Sequence, residues 1–355
     1  MTWMIYGANG YTAGLIIDKA LARGHRPVLA GRHSQKVFEV AQAKGLPARI
    51  FDLSDEAAAV RQLEGISLVL HCAGPFSRTS RPMLDACVRA HVHYLDITGE
   101  IDVFEAIFAR QPELEAAGIA AIPGVGFDVV PSDCLAALLK EKLPSADHLA
   151  LAFAPRDSRT SPGTAKTMVE GLSKGGKIRR DGRIVTVPAA YHTRTVPFPD
   201  GPLLASTIPW GDVATAFHST GIPNIEVYLG MTWMQIKGTR LAGKFRWLFA
   251  TACVQNILKR GIERQVIGPS AERRARASMS LWGEARNAQG ASVTLSLRTP
   301  DGYSLTADAA VRAVERLLKT PPSPGAQTPS LAFGADFIKE LESVEIIANS
   351  PRSFR

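Results

Sequence analysis

The chain has 355 residues, of which 46% are hydrophobic and 21% are charged, proportions that exclude disordered, collagen-like and coiled-coil proteins. Its four cysteines are scattered without a Cys-x-x-Cys pair, which disfavours a disulfide framework or a cysteine-rich zinc site. The net charge of +8 is confined to residues 237–276, where ten Lys/Arg accompany two acidic residues, so the charge does not indicate a nucleic-acid-binding protein.

Neither a secretory leader nor a transmembrane helix is predicted. The chain begins with a strand-like run, Met1–Tyr6, instead of a charged region followed by a cleavable apolar stretch. No window holds 18 uninterrupted apolar residues. We therefore expect a cytoplasmic protein, with peripheral membrane contact left open for the basic segment.

Residues 1–143 alternate short apolar strands with amphipathic helices, a pattern typical of a doubly wound α/β domain with a parallel sheet. Ser34 and Ser54 are predicted N-caps of the second and third helices. The predicted strands are Trp3–Tyr6, Pro27–Ala30, Ala48–Phe51, Ile66–His71, Tyr94–Ile97 and Ile119–Ile122. The predicted helices lie near 12–23, 35–44, 55–64, 80–91, 101–116 and 132–143.

Residues 144–303 have a different sequence pattern, which predicts a second α+β domain with a mixed or antiparallel sheet. Longer alternating runs are separated by Gly- and Pro-rich turns, and a strong helix follows at 307–319. The predicted strands of this domain are His148–Phe153, Arg183–Val187, Asn224–Leu229 and Ala291–Leu297.

A glycine-rich turn follows the first strand and opens the first helix, which favours dinucleotide binding over a plain tight turn. Glycine lets the backbone turn and approach a pyrophosphate, and the helix N-terminus supplies N–H groups and partial positive charge. The predicted cofactor residues of this turn are Gly7, Ala8, Asn9, Gly10, Tyr11 and Thr12.

The end of the second strand favours NADP(H) over NAD(H). Arg32 stands where NAD-binding proteins usually carry an acidic residue, and Lys36 lies one helical turn further on. A guanidinium suits a 2′-phosphate, although a solvated surface arginine is the alternative. Asp52, after the third strand, is predicted to meet the adenine edge. The loop after the fourth strand is predicted to pass the nicotinamide ribose through Ala73, Gly74, Pro75 and Phe76.

Four residues are candidates for catalysis. Asp96 and Glu100 end the fifth strand, and Asp128 follows the sixth, so all three lie at the edge where ligands bind in doubly wound sheets. Acidic residues at strand ends also anchor loops, so a structural role for Asp96 and Glu100 stays open. Lys166 is a candidate proton donor or anion anchor. The alternative is that it is an ordinary solvated lysine on a helix. No metal-binding motif is present, so hydride transfer without a metal is expected.

Several strings in order resemble the saccharopine dehydrogenase-like oxidoreductases, in particular the branch with bacterial trans-acting enoyl reductases. They are Tyr6–Thr12, Ala30–Arg32, Cys72–Phe76, Tyr94–Glu100 and Gly126–Asp133. The resemblance implies an NADP-binding Rossmann domain and a second domain for substrate binding and dimerisation. It also implies that residues 304–355 return to the first domain, and that the protein is a homodimer. Ala13 replaces the usual third glycine, and saccharopine itself is not implied as substrate.

The leading functional hypothesis is an NADP(H)-dependent oxidoreductase that transfers hydride to a C=C, C=N or C=O bond of a small or acyl-type substrate. A non-catalytic NADP-binding sensor or scaffold is the alternative.

The basic segment 237–276 surrounds an apolar run. On one helix, Phe245, Leu248 and Phe249 would share a face. The segment is therefore predicted either to line a substrate pocket or to contact an anionic membrane or an acyl carrier. An ordinary amphipathic helix is the alternative.

Overall fold

The computed structural model describes residues 1–157, 161, 163, 165, 169, 171, 175–249, 251–265 and 268–348. They form two compact units, one of residues 1–130 and 303–342 and the other of residues 131–302 and 343–348. Each unit is built around its own sheet. In the described residues, no helix combines the length and the apolar character needed to cross a bilayer.

The strands are numbered in chain order. They are β1 (Trp3–Tyr6), β2 (Val28–Gly31), β3 (Ala48–Ile50), β4 (Leu68–His71), β5 (His93–Asp96), β6 (Ala120–Ile122), β7 (His148–Arg156), β8 (Gly176–Arg180), β9 (Arg183–Val187), β10 (Thr193–Phe198), β11 (Gly201–Thr207), β12 (Asn224–Gly230), β13 (Ser278–Arg286), β14 (Ser292–Pro300), β15 (Gly325–Ala326) and β16 (Glu345–Ala348).

The α-helices are numbered in the same way. They are α1 (Tyr11–Ala22), α2 (Ser34–Lys44), α3 (Glu56–Gln62), α4 (Phe76–Ala90), α5 (Ile101–Phe108), α6 (Gln111–Ala116), α7 (Val130–Lys142), α8 (Asp212–Thr220), α9 (Trp233–Lys244), α10 (Arg246–Phe249), α11 (Ala252–Gln265), α12 (Ala271–Arg276), α13 (Gly302–Lys319) and α14 (Pro329–Phe333).

The sheet of the first unit is parallel throughout, in the order β15-β6-β5-β4-β1-β2-β3. Strands β1, β2 and β4 are buried at every residue, as expected when helices cover both faces of a parallel sheet. The order reverses between β1 and β4, which creates a crevice at the carboxyl ends of these strands. The predicted doubly wound α/β fold is confirmed.

The second unit carries a mixed sheet, as predicted. Strands β7 and β12 run parallel, whereas β7 pairs with β13, and β13 with β14, in antiparallel register. Helix α7 packs closely on this sheet, because a Cβ at Gly283 would lie 2.6 Å from Leu139 Cδ1. Glycine at position 283 therefore permits close contact between helix and strand.

Both predicted helix caps are wrong, and the helix predicted over 101–116 is divided into α5 and α6. Helix α2 begins at Ser34 itself, with His33 as its N-cap residue. Asp55, not Ser54, caps α3, because its carboxylate accepts a hydrogen bond from Ala58 N–H at 2.9 Å. An aspartate at this position competes well with the neighbouring serine as a cap.

The expectation of one helix through the apolar run is also wrong, since α9, α10 and α11 divide it. Helix α9 has its own contacts: Arg240 Nε donates to Ala190 O at 3.0 Å, and a Cβ on Gly243 would lie 2.8 Å from Ala189 Cβ. These contacts fix α9, which ends one residue later at Lys244.

Candidate active site

The loop between β1 and α1 is closed by backbone hydrogen bonds. The N–H groups of Gly7 and Ala8 donate to Ala30 O at 2.8 and 3.1 Å, and Gly10 N–H donates to Gly7 O at 2.9 Å. Gly7 has φ +90°, and a Cβ there would lie 2.8 Å from Ala73 Cβ, so the position requires glycine. Gly10 is exposed and supplies no side-chain cap to α1, whose first turn has no acidic residue. This helix end is therefore suited to bind an anion.

The other predicted residues of this loop lie around the same helix end. Asn9 is exposed, and its Oδ1 is 3.7 Å from the position of a Cβ on Gly31, at the end of β2. Tyr11 and Thr12 form the first turn of α1 and are half-buried. The Tyr11 ring packs edge-on against Tyr303, with ring centroids 5.2 Å apart. The loop is thus held by packing on both sides.

The carboxyl end of β2 is basic. Arg32 follows β2 directly, Lys36 lies in the first turn of α2, and both are exposed. Asp52, after β3, accepts a hydrogen bond from Ser54 N–H at 2.9 Å. Its hydrogen bonds with Ser54 lower its pKa most, and the positive charges of Arg32 and His33 lower it further. Arg32 is thus close enough to Asp52 for their charges to interact.

The loop from β4 to α4 is held by a buried histidine. It contains the predicted residues Ala73, Gly74, Pro75 and Phe76. His71 is fully buried, and its Nε2 lies 3.0 Å from Thr79 Oγ1, while the Thr79 hydroxyl donates to Ala73 O at 2.6 Å. Because that hydroxyl proton is committed, we assign the proton of the His71 ring to Nε2, which donates. Burial lowers the pKa of His71 to about 3, so its ring stays neutral.

Glu100 precedes α5, but its carboxylate caps α4. Oε1 accepts a hydrogen bond from Phe76 N–H at 2.8 Å, and Oε2 accepts one from Ser77 N–H at 3.1 Å. Pro75, the N-cap residue of α4, provides no side-chain cap. Two charge-assisted hydrogen bonds at the positive end of the helix dipole stabilise this helix start and the loop before it. The geometry favours the structural role that the sequence left open for Glu100.

Asp96 is the last residue of β5 and is fully buried. Its Oδ1 accepts hydrogen bonds from the N–H groups of Thr98 and Gly124 at 2.9 and 2.8 Å. Its Oδ2 accepts one from the Tyr94 hydroxyl at 2.7 Å. Burial raises the pKa of Asp96 to about 6 in spite of these bonds. The carboxyl links the end of β5 to the loop after β6, which also favours a structural role.

Asp128 follows β6 and has different surroundings. Its carboxyl packs against Gly99, where a Cβ would lie 2.6 Å from Oδ2 and 3.1 Å from Cγ. Although the residue is partly exposed, burial raises the pKa of its carboxyl to about 6. Among the described residues, none donates a hydrogen bond to this carboxyl or pairs with it. Asp128 is therefore a partly exposed carboxyl of raised pKa, without a partner among the described residues, at the edge where ligands bind in doubly wound sheets.

The structure thus brings Asp96, Glu100 and Asp128 to one edge of the first unit, whereas Lys166 lies outside the described residues. Sequence reasoning missed the pair of His71 and Thr79. A histidine at the end of an otherwise apolar strand was the available signal, because a buried imidazole needs a hydrogen-bond partner.

The residues at this edge fit NADP. No side chain caps the N-terminus of α1, so its backbone N–H groups suit a pyrophosphate. Arg32 and Lys36 provide exposed positive charge for a 2′-phosphate, and the first turn of α2 has no acidic residue to oppose it. Gly7 keeps the loop close to Ala73, so the two cofactor loops lie side by side.

Residues 3–122 match the protein family described as saccharopine dehydrogenase NADP binding domain. The saccharopine dehydrogenase-like oxidoreductase of Mus musculus is 26% identical over 203 residues, which cover 50% of this chain and 47% of that protein. The trans-acting enoyl reductase of Mycobacterium leprae is 31% identical over 138 residues, which cover 37% of this chain and 33% of that protein. The chain thus spans about half or less of the length of these relatives.

Among solved structures, the apo saccharopine dehydrogenase (L-Glu forming) from Saccharomyces cerevisiae matches with a TM-score of 0.65. The match covers 98% of this chain and 100% of that chain at 14% identity, so it speaks for the fold. Together with the geometry of the loops, these matches confirm the predicted resemblance: residues 3–122 match the NADP-binding domain of saccharopine dehydrogenase.

Proposed function

We propose that the protein is an NADPH-dependent oxidoreductase in which Asp128 gives the proton that accompanies hydride transfer. The observation that carries this proposal is the carboxyl of Asp128, which has a pKa raised to about 6 and no partner among the described residues. A group that donates protons near neutral pH needs a raised pKa and an accessible proton. Asp128 combines both at the edge of the sheet where ligands bind in this fold.

The chain's own residues would hold the cofactor in the following way. Residues 7–12 and the N-terminus of α1 bind the pyrophosphate, and Arg32 and Lys36 bind the 2′-phosphate. The loop 73–76, braced by Glu100 and by His71, borders the nicotinamide side. When bound, NADPH supplies the hydride.

Asp128 supplies the other half of the reduction. Its protonated carboxyl transfers the proton to the substrate atom that gains electron density, and the carboxylate regains a proton from water. Gly99 leaves space for this carboxyl because it has no side chain. Asp96 positions the backbone on both sides through Thr98 and Gly124, so we assign it a positioning role.

The names of two relatives support two classes of substrate. One relative is named a trans-acting enoyl reductase, which supports a C=C bond conjugated to an acyl group. Another is named saccharopine dehydrogenase-like, which supports a C=N or C=O bond of a smaller compound. Substrate binding and homodimer formation by the second unit, and a cytoplasmic location, belong to the same proposal.

The experiment follows NADPH absorbance with three probes: an α,β-unsaturated acyl thioester, a 2-oxo acid with an amino acid, and a simple ketone. We expect one probe to oxidise NADPH, and Asp128→Asn to abolish this reaction without weakening NADPH binding. The matched control is Asp18→Asn, an exposed residue of α1, which should leave the rate unchanged. Tight NADPH binding without oxidation by any probe favours the alternative, a non-catalytic NADP-binding sensor or scaffold.

A further inference from the structure

Exposed large apolar side chains cluster in and after α9. They are Trp233, Met234, Leu241, Phe245, Trp247 and Ile257, all between 49% and 82% exposed. The other exposed large apolar residues of the described chain are spread over distant positions, for example Phe38 and Leu203. Single exposed apolar residues are ordinary, whereas a cluster of them marks an interaction surface.

Helix α9 has two opposed faces. One face packs on the rest of the second unit. On this face Arg240 Nε donates to Ala190 O at 3.0 Å, and Ile236 is fully buried. At about 100° per residue, Met234, Leu241 and Phe245 project within about 40° of one another on the far side. The helix is therefore fixed through Ile236, Arg240 and Gly243, and its other apolar side chains lie on the outward face.

The start of α9 is well defined. Thr232 Oγ1 accepts a hydrogen bond from Gln235 N–H at 3.3 Å, and Gln235 Oε1 accepts one from Thr232 N–H at 2.8 Å. This capping box satisfies two backbone donors and fixes the helix before any partner binds. The apolar face is thus preformed.

The charge of this segment is of one sign. Between Glu226 and Glu263 the sequence has six Lys/Arg and no acidic residue. Lys237 and Lys244 lie about 20° apart on the helix, beside the apolar face. The Lys237 ammonium lies 5.2 Å from the centre of the Trp233 ring. Apolar side chains bordered by lysine and tryptophan are typical of helices that lie in a membrane interface.

We propose that the outward face of α9, with Phe245 and Trp247, binds the surface of anionic lipid bilayers. A second copy of this face would bring like charges together and is disfavoured. An anionic bilayer places negative headgroups against Lys237 and Lys244 and an apolar layer beneath Met234 and Leu241. This surface is independent of the proposed oxidoreductase activity.

The test is co-sedimentation of the full chain with phosphatidylserine–phosphatidylcholine vesicles, compared with vesicles of phosphatidylcholine alone. We expect binding to the anionic vesicles at low salt, weaker binding at high salt, and little binding to the neutral vesicles. Two double variants separate the contributions, Met234→Ser with Leu241→Ser and Lys237→Gln with Lys244→Gln. Each is expected to weaken binding about tenfold or more.

Matched controls come from exposed residues elsewhere, Leu203→Ser and Lys319→Gln, which should bind like the wild type. Unchanged circular dichroism and NADPH affinity show that each variant is folded. Absence of binding to anionic vesicles at low salt, or binding by both double variants that equals that of the wild type, overturns the proposal. Self-association that Leu241→Ser abolishes in sedimentation velocity would assign the face to a second copy instead.

Discussion

The ends of β5 and β6 each place a carboxyl at the same edge of the first sheet, and the two differ in their partners. Burial raises the pKa of both Asp96 and Asp128 to about 6. Asp96 accepts three hydrogen bonds, whereas Asp128 accepts none within the described chain. A raised pKa therefore reports burial alone, and the hydrogen bonds distinguish a structural carboxyl from one with an available proton.

The largest expected effect concerns turnover. Asp128→Asn removes the proton but keeps the size of the side chain, so kcat should fall by about 100- to 10,000-fold. The dissociation constant for NADPH should stay within about twofold, since Asp128 is not among the residues assigned to the cofactor phosphates. Single-turnover NADPH oxidation and equilibrium fluorescence measure the two quantities. Turnover retained by Asp128→Asn would show that Asp128 does not donate the proton.

The structural role assigned to Asp96 is tested by the free energy of unfolding. Asp96→Ala leaves three buried donors without an acceptor, those of Tyr94, Thr98 and Gly124. At about 1–3 kcal/mol for each buried unsatisfied group, the free energy of unfolding should fall by about 3 kcal/mol or more. Asp128→Ala breaks no hydrogen bond in the described chain and removes a carboxyl whose ionisation burial disfavours, so it should not lower the free energy of unfolding by more than about 1 kcal/mol. Urea unfolding of both variants gives the values, and equal losses would contradict the distinction.

Arg32, after β2, differs from both carboxyls because it is exposed. Arg32→Asp replaces the guanidinium expected to bind the 2′-phosphate and should remove about 1.5–3 kcal/mol of NADPH binding. NADH binding should be unchanged or improved, because an acidic residue suits a ribose hydroxyl. Titration calorimetry with both nucleotides checks this prediction. Equal affinities of the wild type for NADH and NADPH would show that Arg32 is only a solvated surface residue.

The smallest expected effect is the pH dependence that Asp128 contributes to stability. Its pKa in the folded protein is about 6, above the value of 3.8 taken for the unfolded chain, so protonation favours folding. The contribution is complete below pH 3.8 and is lost as the pH rises through about 6. Between those limits the wild type should lose about 1–3 kcal/mol relative to Asp128→Asn. The free energy of unfolding is measured for both proteins at pH 5 and pH 8. An equal change between the two pH values in both proteins would contradict the raised pKa.

Much of the first unit could be predicted from local pattern. Alternation of apolar strands with helices gave the order of β1 to β6, since those periodicities are properties of neighbouring residues. The glycine turn at Gly7 and the basic residue Arg32 were predictable in the same way, because each acts through its place beside a strand. Boundaries were less predictable, as at Ser54, where two adjacent residues competed for one cap.

The sequence by itself thus determined the class of fold and the cofactor, because glycine turns, strand periodicity and charge next to a strand are local. Only the tertiary structure showed which groups surround each acidic residue. Glu100 caps a helix that begins 24 residues earlier in the chain, and Asp128 reaches Gly99 across a strand crossover. Parallel strands bring residues far apart in sequence to one edge, and only the folded chain shows which hydrogen-bond donors meet each carboxyl there.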